Sequence, residues 1–142
     1  MGLLLGLKNE TGTLEEAVWA RLMGAAAVTD VVGLRVYPVV VPQGAARPYV
    51  RYFRVSGPRF GVMAGASGLA MGRIQFDCVA DRYATAKTLA QALRVLWDGW
   101  SGESAGVTIQ GCRVVAEDDQ YEESLGEGAA LVSVDVVVHY LE

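Results

Sequence analysis

Histidine, cysteine and proline are scarce in this chain of 142 residues: His139 is the only histidine, Cys78 and Cys112 are the only cysteines, and there are four prolines. Each shortage closes a class of function. A structural zinc site takes four ligands, whereas two cysteines without a C-x-x-C spacing and one histidine supply three. The two thiols read as buried side chains of a reducing compartment. No uninterrupted apolar run nears the roughly 20 residues that span a bilayer. Charged residues make up only 20% and apolar residues 52%, too few and too many for a disordered chain. The start, MGLLLGLKNETG, lacks the basic region and small-residue cleavage site of a signal peptide. Residues 1–12 are expected to be a mobile arm ahead of one domain, residues 13–142. A domain of that size buries about two-thirds of its unfolded surface.

Catalytic candidates are equally thin. His139 falls on the outward register of the last expected strand. Ser56 is followed by Gly57-Pro58, a turn, and not by the strand-to-helix elbow that presents a nucleophile. Asp118 and Asp119 lack the ligand spacing of a calcium loop. Glu122 and Glu123 are adjacent, so their carboxylates diverge in an extended chain. The glycine-rich stretch 61–72 has neither phosphate-binding pattern, contains no lysine, and precedes a strand where a phosphate loop precedes a helix. The chain reads as a non-enzyme, with no cofactor and no metal.

What is present is an alternation of periods. Thr13-Leu14-Glu15-Glu16 is a capping box, and Leu14, Val18 and Leu22 follow at helical spacing, with Trp19 and Met23 widening the stripe. That helix is expected to end near Gly24 to Ala27. Short strands are expected at Leu34 to Tyr37 and, after Pro48, at Tyr49 to Val55. From Arg73 to Ala80 the side chains alternate, Ile74, Phe76, Cys78 and Ala80 one way, Arg73, Gln75 and Asp77 the other. Asp81 is expected to cap a helix whose stripe is Ala86, Leu89, Leu93, Leu96, Trp97 and Trp100. Strands Val107 to Val115 and Ala130 to Leu141 follow, separated by a polar loop. The order predicts an α+β fold: an antiparallel or mixed sheet of about five strands with two helices on one face.

Two features point to contacts. The segment between the second and third strands, Phe60 to Gly72, is uncharged and apolar where a solvated loop is polar, and its glycines and flexible methionines suit an adaptable contact. Charge falls in blocks: residues 35–94 carry nine basic side chains against two acidic, and residues 95–142 ten acidic against one basic. The blocks either neutralise each other within one fold, pair head-to-tail between copies, or present an arginine-rich strand to nucleic acid, which a pI of about 5.0 opposes. The candidate interface is Arg51, Arg54, Arg59, Phe60, Met63, Leu69 and Met71. The candidate acidic loop is Glu117, Asp118, Asp119, Glu122 and Glu123.

The run Arg35-Val36-Tyr37-Pro38, then Pro42-Gln43-Gly44 and Arg47-Pro48-Tyr49-Val50-Arg51-Tyr52, and later Gly72-Arg73-Ile74-Gln75-Phe76-Asp77-Cys78-Val79-Ala80 leading into an alanine- and leucine-rich helix, resembles the tail-completion (tail-terminator) family of long-tailed bacteriophages and gene transfer agents. The resemblance covers roughly residues 13–142 and brings no catalytic residues with it. It implies a virion subunit assembling into a homo-oligomeric ring of six. One ring face would meet the tail tube protein and the other the head connector, at the junction of tail and head. DNA would pass through the lumen without specific binding, past the acidic loop, and no membrane is involved. Another neck or head-completion subunit, or a monomeric RNA- or ligand-binding α+β module using Tyr49, Arg51 and Phe53, are the alternatives.

Overall fold

The computed structural model describes residues 12–56, 68–122 and 128–141. Thr13 opens the first helix by a reciprocal cap. Its Oγ1 accepts from the Glu16 N–H, and the Glu16 carboxylate accepts from the Thr13 N–H, each at 3.1 Å. Helix α1, Leu14–Met23, buries Leu14, Ala17, Val18 and Leu22. Trp19, expected to widen this stripe, is turned outward and exposed, because one residue's 100° step past Val18 carries it off the buried face. After Gly24 the chain forms a helix that the sequence did not announce, α2, Ala26–Val32. Its start has no polar cap, and its only buried side chains are Val28 and Val32, one turn apart, too few to show a period.

The sheet is built from β1 (Val36–Pro38), β2 (Tyr49–Ser56), β3 (Leu69–Ala80), β4 (Gly102–Ser104), β5 (Val107–Glu122) and β6 (Ala129–Leu141), with helix α3 (Tyr83–Trp97) between β3 and β4. In space the order is β1-β2-β3-β6-β5-β4. The β1–β2 pair is parallel and the others antiparallel, so the sheet is mixed. The described residues thus form six strands and three helices where about five and two were expected.

Three further expectations are corrected. Leu69 to Gly72 are not loop but the first residues of β3, paired with Leu141 to Val138. Gly72 belongs there because α1 crosses close above it: a Cβ would stand 2.6 Å from Leu14 Cδ2. The acidic stretch from Glu117 to Glu122 is likewise strand, since β6 pairs along it as far as Ala129↔Glu122. Cross-strand pairing prevails over the low strand propensity of Glu and Asp. Asp81 does not cap α3, whose N-cap is Arg82 without a side-chain bond; Asp81 instead pairs with Arg47 Nε at 2.8 Å.

All three helices contribute to one core on one face of the sheet. It takes Val50 and Tyr52 from β2, Ile74, Phe76 and Cys78 from β3, and Val132, Val134, Val136, Val138 and Tyr140 from β6. Onto these α3 lays Ala86, Leu89, Ala90, Leu93 and Trp97, with the Phe76 and Trp97 rings stacked at 5.9 Å. Each large apolar side chain withdrawn from water here contributes about 1.5–3 kcal/mol before the entropy of ordering it. The opposite face meets no described helix. It carries a small separate cluster, Tyr49, Val79 and Ala129, with Tyr37, Val41 and Leu131 packed against it.

Candidate assembly surfaces

Period-2 alternation divides the sequence-predicted site residues between the two faces. On the helix-free face, Asp77 is only 8% exposed. Its Oδ1 accepts from Ser133 Oγ and from Gln75 Nε2, both at 2.9 Å, and its Oδ2 lies 3.8 Å from Arg51 Nε. Beside this group Arg73 donates Nη2 at 2.7 Å and Nε at 3.2 Å to Asp135 Oδ2. The Arg51 guanidinium lies over the Phe53 ring at 4.5 Å, and its Nε is buried without a hydrogen-bond acceptor among the described residues. Leu69 and Met71 are half-buried on the same register as Arg73.

Arg54, grouped with Arg51 from the sequence, points the other way. Its Nε donates to Glu15 Oε2 at 3.1 Å and its Nη2 to Tyr140 Oη at 3.1 Å, which ties β2 to α1 beneath the helix layer. Arg59, Phe60 and Met63 lie outside the described residues, as do Glu123 and the Glu122 side chain.

The acidic set divides in the same manner. Glu117 and Asp119 face α3. Glu117 takes Lys87 and Arg94, while Asp119 accepts from Tyr83 Oη at 2.7 Å and from Lys87 at 3.1 Å. The hydrogen bond from Lys87 holds the Glu117 carboxyl below its usual range, the Tyr83 hydroxyl does the same for Asp119, and the two carboxylates raise Lys87. Asp118, between them, turns to the helix-free face beside Ser133. Its side chain has no hydrogen bond or ion pair among the described residues. Arg73, Lys87 and Arg94 therefore neutralise part of the acidic block within the fold.

Sequence reasoning missed the two edges of the sheet. Leu34 is 81% exposed, Val40 73% and Tyr121 66%, with Val39 and Val115 exposed nearby. Leu34 and Val40 flank β1, and Val115 and Tyr121 lie on β5. The one available signal was the tyrosine inside an acidic run. Beyond Ala116 the outer side of β5 pairs with no described strand, because β4 covers only Val107 to Ile109.

Burial pushes the Cys112 thiol up to about 11 and Cys78 further up, so both are protonated and weakly reactive. His139 is half-buried opposite Met71. Among the described residues no three His, Cys, Asp or Glu side chains group as metal ligands, and no helix is long and apolar enough to cross a membrane.

None of the curated proteins compared matches the chain. Among solved structures, a chain from the virion of a native gene transfer agent particle superposes with a TM-score of 0.72 at 20% identity, over 93% of this chain and 97% of that one. This likeness shows a shared fold. The profile of the family described as tail completion protein gp17 matches residues 16–139, nearly the full length. The chain belongs to that tail completion family and is a structural tail protein of a phage-type virion.

Proposed function

We propose that this subunit assembles into a six-membered ring that ends growth of the tail tube and joins the tail to the head connector. The observation that carries the reading is the family match over residues 16–139. The surfaces support it. A joining ring needs two differently built faces on each subunit, and here one side of the sheet is layered with helices while the other is a polar network free of described helices. DNA has to pass such a ring without being held. On the helix-free face Arg51 and Arg73 lie against Asp77 and Asp135, which lowers their pull on phosphate, and Asp118 adds a repelling charge.

Removing the gene from its producing phage or element tests this. The expected particles have tails of uncontrolled length and heads without tails, and supplying the protein in trans restores joined particles. Tails of normal length, joined to heads without it, would overturn the proposal.

A further inference from the structure

The strand registers place residues of different strands at one level. Tyr37 pairs with Arg51, Arg51 with Asp77, Asp77 with Ser133 and Ser133 with Asp118, a single row across the sheet from β1 to β5. β1 runs parallel to β2, and three antiparallel steps separate β2 from β5. β1 and β5 are therefore antiparallel, and the outer edge of β5 beyond Ala116, which pairs with no described strand, stands level with β1 on the opposite side of the molecule. A second copy set alongside in the same orientation brings β5 against β1 in pairing direction, with no shift along the strands.

That placement matches the side chains. With Asp118 opposite Tyr37, three further residues bring Tyr121 opposite Leu34, and Val115 falls beside Val40. These are exposed apolar side chains, where an edge that is merely shielded from pairing would carry polar ones. Charge agrees in part: on the β5 edge Glu117 and Asp119 are paired with Lys87, Arg94 and Tyr83, Asp118 remains for a neighbour, and the β1 side carries Arg35 and Arg51. Asp118, without a hydrogen bond or ion pair among the described residues of its own copy, comes within about 10 Å (two strand spacings) of the neighbour's Arg51, which lies 3.8 Å from its own Asp77. The matching edges are two different ones, β5 and β1, so the contact is head-to-tail, the kind that closes into a ring.

We infer that copies of this chain join edge to edge, β5 of one pairing antiparallel with β1 of the next, so that the sheet continues from subunit to subunit. The inference rests on the ring reading and adds its contact.

A Tyr37→Cys, Asp118→Cys double variant tests it under mild oxidation, with particle size measured on the same sample. Within one copy the two positions are four strand spacings apart, about 19 Å, too far for a disulfide, which needs Cα atoms within about 7 Å. The expected result is a ladder of reducible covalent oligomers, absent when Tyr37→Cys is combined with Arg113→Cys, which lies off register. An annulus that forms with no ladder overturns the edge contact and leaves the ring standing; protein that remains monomeric at every concentration, without a ladder, overturns both. Charge exchange gives a second reading at two exposed positions. Leu34→Glu or Tyr121→Arg alone should raise the concentration needed for assembly about tenfold, and the two in one chain should restore it. Failure of the pair to restore assembly counts against the register.

Discussion

The Arg21 guanidinium of α1 lies 3.6 Å from the centroid of the Trp100 ring and donates Nη2 to the Leu96 carbonyl at 2.7 Å. One side chain thus ties the first helix to the last turn of α3, where a cation also complements the helix dipole. Arg21→Ala is expected to lower stability by about 1–3 kcal/mol, and Arg21→Lys to recover only part of it, because an ammonium cannot lie flat on the indole and reach the carbonyl together. Urea unfolding of the three proteins checks this; equal midpoints for wild type and Arg21→Ala would contradict it.

The crossing of α1 over β3 makes a second prediction. Gly72→Ala should cost about 1–2 kcal/mol, since its new methyl must displace Leu14 Cδ2 from a closed core. In a Leu14→Ala background the same change should cost almost nothing. A double-mutant cycle reads the coupling directly, and additivity of the two changes would refute the close contact.

Acid should loosen the α3–β5 contact. Glu117 and Asp119 have lowered pKa values in the fold, so their pairing with Lys87, Arg94 and Tyr83 stabilises the protein at pH above the ordinary carboxylate range. That contribution drains away as pH falls below about 4, toward their lowered values. Lys87 is raised, so its share is present at neutral pH and lost only as pH rises past the ordinary lysine range. In Glu117→Gln the fall of the urea midpoint on acidification should be shallower than in wild type. Identical slopes would show that the pair contributes nothing.

The thiols give a simple check on burial. Native protein at neutral pH should leave Cys78 and Cys112 unalkylated over hours, and unfolded protein should label both at once, as mass spectrometry would show. Rapid labelling of Cys78 in the native state would contradict its place in the core.

How far the sequence disclosed this structure varies with the kind of residue. The core strands and α3 were legible because Ile74, Phe76 and Cys78, and Val132 to Val138, repeat with a clean period facing one layer. Helix α2 was hidden because two valines do not make a period. The strand character of Glu117 to Glu122 was hidden because their pairing partners on β6, Val134 to Ala129, come later in the chain, and acidic residues have low strand propensity. The contact surfaces were only partly legible. Arg51 and Arg54 look alike in sequence, yet their three-residue separation puts one on each face of the strand. The exposed edges around Leu34 and Tyr121 could be matched only once the strand order was known, because the residues are far apart along the chain; a tyrosine inside an acidic run was the one trace in the sequence.

Electron microscopy of the purified protein mixed with tail tubes tests the ring most directly. Annuli of six copies, seated on one end of each tube and never along its length, are the predicted result. Tubes with bare ends, in a background of single copies without a pore, would contradict it.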